Sequence, residues 1–147
     1  MYKILLAADG SESASKAARK TLEMAVPLKA GVTVLSVVQV IPVYRAAGYH
    51  GALFDGEQLA MLEKDMEEAA SETLEKTRGF FQENGLEVKT VLAKGQPADV
   101  ICRVAEEGKF DLIVIGSRGL GTIKGLVLGS VSNKVIHNAK TSVLIVK

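Results

Sequence analysis

Residues 111–130, DLIVIGSRGLGTIKGLVLGS, join an apolar run to a glycine-rich loop. A strand that leads through glycines into a helix is typical of phosphate sites, because the first backbone amides of a helix have no partner within it. The spacing matches neither the Walker loop nor the Gly-x-Gly-x-x-Gly pattern, whose third glycine is replaced here by Lys124. The stretch therefore predicts either a phosphate-binding loop of another type or a flexible turn before a capped helix.

Apolar runs alternate with helical patterns along the whole chain. This alternation predicts a single α/β domain over residues 1–147, Rossmann-like, with a parallel sheet, right-handed crossovers and helices on both faces. Strands are predicted at 2–8, 32–40, 86–93, 112–115 and 142–146, and helices at 12–29, 57–84, from Pro97 onward and at 130–138.

Capping and breaking residues predict where the helices begin and end. Ser11 and Ser13 are candidate N-caps of the first helix and Gly31 is its expected end, while Asn84-Gly85 is the stop signal of the second helix. The run 86–93 alternates apolar and polar residues, which favours a half-exposed or edge strand. The second helix is predicted to face inward with Leu59, Leu62, Met66, Ala69, Thr73 and Phe80.

Composition excludes several classes of protein. The 18 basic and 17 acidic residues give a net charge of +1, which argues against a nucleic-acid or membrane-surface partner. No apolar run has transmembrane length, and MYKILLAADG lacks the basic and long apolar regions of a signal peptide. The single cysteine, Cys102, permits no intramolecular disulfide and is expected to be a small buried side chain, while His50 and His137 fit no metal-ligand spacing. We expect a cytoplasmic protein without a metal held by protein ligands.

The carboxyl ends of the predicted strands are the places to look for a site, because ligands bind there in open parallel sheets where the winding reverses. The residues at these ends are Asp9-Gly10-Ser11, Val37-Val38-Gln39, Gly95-Gln96-Pro97 and the glycine loop. Asp9 is the most informative, since a carboxylate that ends an apolar strand costs solvation energy unless a partner uses it. It is a candidate to bind a ribose or, indirectly, a nucleotide-bound Mg²⁺; the alternative is that it caps the first helix.

Two loops have chemistry of their own. In the glycine loop, backbone amides can approach a phosphate closely, Ser130 and Ser132 add hydroxyls at a helix N-terminus, and Arg118 and Lys124 are nearby cations. The loop 42–56 is long for an α/β connection and is either functional or a packed surface loop.

A spaced glycine motif follows the fourth predicted strand: Gly116, two residues, Gly119, nine residues and then Gly129-Ser130. It reproduces the nucleotide-binding motif of the ATP-binding branch of the universal stress proteins, a family that the chain resembles along its whole length. The resemblance implies the strand order 3-2-1-4-5, with the reversal between Asp9 and Gly116, which is also the edge indicated by the strand ends. The matching segments are ILLAADGSESA, VTVLSVV, KGQPADVICRVAEEGKFDLIVIGSRGLG and LGSVSNKVIHNAKTSVLIVK.

The resemblance also implies roles for individual residues. Asp9 would bind the ribose or its surroundings, Val37 would contact adenine through its main chain, and Ala8 would line the adenine pocket. The implied cofactors are ATP and Mg²⁺, with the ion held mainly through the phosphates. Ribose and phosphates would be surrounded by Ile115, Gly116, Arg118, Gly119, Gly129, Ser130, Val131 and Ser132.

Three functions remain open. The first is an ATP-binding regulator of a stress response or partner interaction, with at most slow ATP hydrolysis. The second is an adenylating or hydrolysing enzyme, although residues 8–13, ADGSES, lack the paired glycines of related adenylating loops, and the glycine loop holds no His or carboxylate to act as a base. The third is a dimeric interaction protein with a vestigial nucleotide site. We therefore expect no efficient catalysis.

The last strand, 142–146, is predicted to mediate self-association. It is apolar on both faces, and the implied strand order places it at a sheet edge. An apolar edge strand pairs readily with another chain, and the simplest cover is the same strand of a second copy about a two-fold axis. The family resemblance also points to a homodimer; the alternative is a short edge whose faces are buried by helices.

Overall fold

The computed structural model describes residues 1–40, 56–119 and 128–147, so most of the predicted loop 42–56 and Lys124 lie outside the described residues. None of the helices in these ranges is long and apolar enough to span a membrane. The strands are β1 (Lys3–Ala7), β2 (Gly31–Gln39), β3 (Lys89–Gly95), β4 (Leu112–Gly116) and β5 (Ser142–Val146), and the helices are α1 (Glu12–Leu28), α2 (Gly56–Glu83), α3 (Pro97–Glu107) and α4 (Ser130–Asn138).

All strand pairs are parallel, and their order is β3-β2-β1-β4-β5, which confirms the predicted sheet. Successive side chains of β1 point to opposite faces: Ile4 and Leu6 pack with α1 and α2, whereas Leu5 and Ala7 pack with α3 and α4. The central strands are buried on both faces, which explains why they are near-continuous apolar runs in the sequence.

The start of α1 agrees with one of its two predicted caps, and its end lies within one residue of the predicted Lys29, but Gly31 is not the residue that ends it. Ser11 is the N-cap and its hydroxyl accepts a hydrogen bond from Ala14 N at 3.1 Å. The helix ends at Leu28, and Lys29 takes the left-handed conformation at φ 50°. Gly31 begins β2 instead, because its amide donates to Tyr2 O at 2.8 Å and places it in the sheet.

The predicted edge strand exists, but it begins later than its apolar pattern. β3 pairs with β2 from Lys89 to Gly95, so its position at a sheet edge is confirmed. Leu86 and Val88 precede the strand and pack against the α1–α2 side of the core. Their alternation therefore reflects core packing, while the register with β2 decides where pairing starts.

Helix α2 is rotated relative to its predicted inward face. The buried side chains are Ala70, Leu74 and Phe81, whereas Leu59 and Leu62 are only partly buried. The buried positions lie one residue after the predicted Ala69, Thr73 and Phe80, which is a rotation of about 100°. Gly85 ends the helix region at φ 77°, as predicted. Four residues of the predicted face line a cavity, and one of them, Phe80, also packs against the core. The four are Met66, Ala69, Thr73 and Phe80.

Candidate functional site

The second strand extends beyond the first at the carboxyl edge of the sheet. The last β1–β2 pair joins Ala7 and Leu35, and Ala8 N donates to Leu35 O at 2.9 Å. Main-chain groups of every second residue in a strand point to the same neighbour. The N–H and C=O of Val37 therefore point, like those of Leu35, to the side of β2 on which β1 lies. β1 ends before it reaches Val37. On its other side, β2 stays paired with β3 as far as Gln39.

A cavity of about 960 Å³ opens at this edge, where the winding reverses between β1 and β4. This volume lies in the usual range of ligand pockets, about 300–1,000 Å³. The structure brings together around it every site residue assigned from the sequence. These are Ala8, Asp9, Val37, Ile115, Gly116, Arg118, Gly119, Gly129, Ser130, Val131 and Ser132.

The buried residue Ser117 holds the two ends of the glycine loop together. Its amide donates to Val146 O at 2.8 Å, and its carbonyl accepts from Gly129 N at 2.6 Å and from Ser132 Oγ at 3.0 Å. These bonds place the first turn of α4 beside the end of β4. Ser117 was not predicted as a site residue, although a serine directly after a buried strand in a glycine loop is a usable signal.

The N-terminus of α4 is open toward the cavity. Gly129 is the N-cap, and no side chain among the described residues caps the helix. The first bond of the helix is Asn133 N to Gly129 O, at 3.0 Å. The amides of Ser130, Val131 and Ser132 precede that bond and have no acceptor within the helix. With the positive end of the helix dipole, they form a suitable anion site.

The hydroxyl of Ser132 bonds to main-chain carbonyls of the protein itself. The side chain is buried, and its Oγ contacts Ser117 O at 3.0 Å and Gly129 O at 3.1 Å. These contacts make Ser132 a tie between β4 and α4. Ser130, in contrast, is exposed at the start of the helix, so its hydroxyl remains the predicted ligand donor.

Two glycines of the motif meet different steric requirements. A Cβ on Gly116 would lie 2.7–2.9 Å from atoms of Ser13 and Ala14, so this glycine allows α1 to pack against the end of β4. A Cβ on Gly119 would lie 2.9 Å from Oδ2 of Asp9, inside the cavity. Gly116 is thus explained by helix packing, and Gly119 by the narrow approach to Asp9.

Asp9 is not the N-cap of α1, because that position is taken by Ser11. Oδ1 of Asp9 accepts from Ser11 N at 2.9 Å, which orients the exposed carboxylate, and Oδ2 faces Gly119. The main chain of Arg118 is held by weak bonds at 3.4 Å to Ser11 Oγ and Ser13 Oγ. Its guanidinium forms no ion pair within the described residues and is exposed.

The cavity also has a wall that was not predicted from the sequence. This wall is formed mainly by α2. Its residue Thr73 lies close to Gly10, because a Cβ on Gly10 would be 3.1 Å from Thr73 Oγ1. In the described ranges no three His, Cys, Asp or Glu side chains group as metal ligands. The further lining residues on this wall include Ser36, Met66, Ala69, Glu72, Lys76 and Phe80.

Comparison with known proteins identifies the family. A model of the universal stress protein family matches residues 1–147. The chain belongs to this family. A curated universal stress protein of Methanocaldococcus jannaschii is 33% identical over 145 residues, which are 99% of this chain and 81% of the relative.

Solved structures resemble this universal stress protein over nearly its whole length. The hypothetical protein MJ0577 of M. jannaschii is 28% identical, with a TM-score of 0.84 over 99% of this chain and 94% of its own. A universal stress protein in complex with cAMP is 27% identical, with a TM-score of 0.71 over 99% and 97%. One from Archaeoglobus fulgidus in complex with dAMP is 26% identical, with a TM-score of 0.67 over 100% and 98%.

Proposed function

We propose that this universal stress protein belongs to the ATP-binding branch, binds ATP at the carboxyl edge of β1 and β4, and acts as a nucleotide-dependent regulator of a stress response or partner interaction. The observation that carries the proposal is one cavity between the main chain of Val37, which lies beyond the last β1–β2 pair, and the N-terminus of α4, which no described side chain caps. The relatives in complex with cAMP and dAMP support an adenine nucleotide as the ligand.

The Val37 side of the cavity suits adenine. A main-chain N–H beside a C=O complements the ring nitrogen N1 and the amino group of adenine, whereas guanine presents a donor and an acceptor in the reverse order. Leu35 and Ile115, with Ala8, supply small and apolar surfaces for the base. We therefore expect ATP to bind more tightly than GTP.

The α4 side suits the phosphates. The amides of Ser130 and Val131 and the hydroxyl of Ser130 are donors at a positive helix end, and the exposed Arg118 adds a cation. A side chain at Gly119 would fill the space beside Asp9 and narrow the approach to the α4 end. Bound Mg²⁺ would neutralise phosphate charge. Among the described residues no three His, Cys, Asp or Glu side chains group as metal ligands, so the ion would be held mainly by the phosphates.

The geometry favours binding over efficient catalysis. Hydrolysis needs a base that positions water at the terminal phosphate, and the carboxylates among the described lining residues are Asp9 and Glu72. Asp9 is oriented by Ser11, and Glu72 lies on the α2 wall. Slow turnover is compatible with this arrangement. An adenylating or hydrolysing enzyme would instead release AMP or ADP at a sustained rate, which product analysis detects.

We further propose that the protein is a cytoplasmic homodimer that pairs through β5, residues 142–146. β5 is an edge strand with Leu144 and Val146 against one face of the core and Val143 and Ile145 against the other. Its outer main-chain groups are thus flanked by apolar side chains, which is the arrangement that favours pairing with a second copy.

Calorimetric titration of the purified protein with ATP, GTP and AMP, each with and without Mg²⁺, tests the proposed function. We expect ATP to bind with a dissociation constant near its cellular concentration, and more tightly than GTP. If the titration gave no heat of binding and no nucleotide stayed bound through purification, the result would support an interaction protein with a vestigial site. A rate of ADP or AMP release comparable to ordinary enzymes would support the catalytic alternative.

A further inference from the structure

Ser36 is a buried residue whose hydroxyl has no hydrogen-bond partner among the described residues. The residue is 3% exposed, and its side chain bonds to none of the described residues. It interrupts the apolar run of β2, VTVLSVV, where a valine or isoleucine would fill the same place. A serine buries less apolar surface here than a valine would, so a hydrogen bond to a ligand would explain why a serine occupies the position.

The Ser36 hydroxyl opens onto the nucleotide cavity. Every fully enclosed side-chain nitrogen or oxygen in the described part of the chain has a partner, so the unpaired Oγ cannot be fully enclosed. Ser36 lines the cavity, and by strand alternation it shares the face of Val32 and Val34, toward α1 and α2. The opening of Oγ is therefore into the cavity.

Ser36 lies near the end of the cavity where we expect the nucleoside to bind. It precedes Val37, and it lies beside the end of β1, where Ala8 bonds to Leu35. The α4 end lies over β4, two strand spacings away, which is about 10 Å. We propose that the Ser36 hydroxyl hydrogen-bonds to the nucleoside part of the bound nucleotide and so helps to select it. This inference rests on the proposed function and adds a binding residue to it.

Ser36→Ala separates this role from a structural one. Removal of an unpaired hydroxyl is expected to leave the melting temperature unchanged or raised, while the affinities for ATP and for AMP fall by the same factor, about 5–10-fold. Thr33→Val is the matched control, because Thr33 is also a buried hydroxyl of β2 without a partner among the described residues, but it lies outside the cavity lining. It should leave both affinities unchanged.

A double variant tests the position of the hydroxyl. Ser36 and Ser130 lie at opposite ends of the proposed nucleotide, so the losses of Ser36→Ala and Ser130→Ala should multiply in ATP affinity. Three results for Ser36→Ala would overturn this inference alone. They are an affinity equal to that of the wild type, a lowered melting temperature, and a loss of affinity for ATP but not for AMP. A wild type that binds neither nucleotide would overturn the proposed function, and this inference with it.

Discussion

Asp9 and Gly119 face each other across the carboxyl edge of the sheet, so closely that a Cβ on Gly119 would lie 2.9 Å from Oδ2 of Asp9. The two residues follow β1 and β4, which are neighbours only because the winding of the sheet reverses between them. This pair marks the narrow entrance to the phosphate end of the proposed site, and substitutions on either side should affect nucleotide binding.

Gly119→Val is expected to lower ATP affinity by at least 10-fold, because the added side chain occupies the space beside Asp9. Isothermal titration calorimetry measures the change. Gly79→Ala is the control, since a Cβ at Gly79 meets nothing within 4 Å, and it should leave affinity as in the wild type. Unchanged affinity in Gly119→Val would refute the assignment of the loop.

Asp9→Ala should weaken ATP binding more than it weakens folding. The helix cap is Ser11, and Asp9 contributes one part-buried bond from Ser11 N, so the loss of stability should not exceed about 1 kcal/mol. Calorimetry with ATP and thermal melting without it give the two quantities. The exposed Asp65→Ala on α2 serves as a charge-matched control. Equal losses in the two measurements would favour a purely structural role.

Ser130→Ala and Ser11→Ala should have opposite signatures. Ser130 caps nothing and is exposed, so its removal should cost about 1–2 kcal/mol of ATP binding with little change in melting. Ser11 caps α1, so its removal should cost about 1 kcal/mol of folding free energy. If Ser130→Ala lowered the melting temperature as much as Ser11→Ala, the open helix end would be a structural feature instead.

Disruption of β5 should dissociate the proposed dimer. Sedimentation of the wild type should give a dimer at micromolar concentration, and Leu144→Lys or Val146→Pro should shift it toward monomer. Because both side chains pack partly on the core, melting curves must show that each variant is folded. Leu92→Lys on the opposite edge strand, β3, is the control and should remain dimeric. A monomeric wild type contradicts the prediction.

Cys102 should react slowly with alkylating reagents at neutral pH. Burial raises the pKa of its thiol, and the neighbouring Asp99 raises it further. Less thiolate is therefore present at pH 7 than in a free cysteine, and the rate should rise as the pH increases. The rate of labelling by iodoacetamide from pH 7 to pH 10 checks this, with the unfolded protein as reference. Labelling as fast as in the unfolded chain at pH 7 would be inconsistent with the raised pKa.

Much of the fold was predictable because its signals are local. Continuous apolar runs indicated strands buried on both faces, Ser11 and Gly85 marked helix ends, and the glycine loop lay after a strand, at the edge where parallel sheets bind ligands. The rotated face of α2 was not predictable. Its apolar residues form two adjacent stripes that differ by one position, and only the sheet decides which of them is buried.

The sequence by itself determined the class of fold, the family resemblance and the residues expected at the site, because these depend on residue types and on short spacings along the chain. Only the tertiary structure decided what each group touches. It gave the Ser132 hydroxyl to Ser117, and it left Ser36 beside the cavity without a hydrogen-bond partner among the described residues. These assignments depend on contacts between residues far apart in the chain, and hydrogen-bond geometry exists only once the strands and helices have packed.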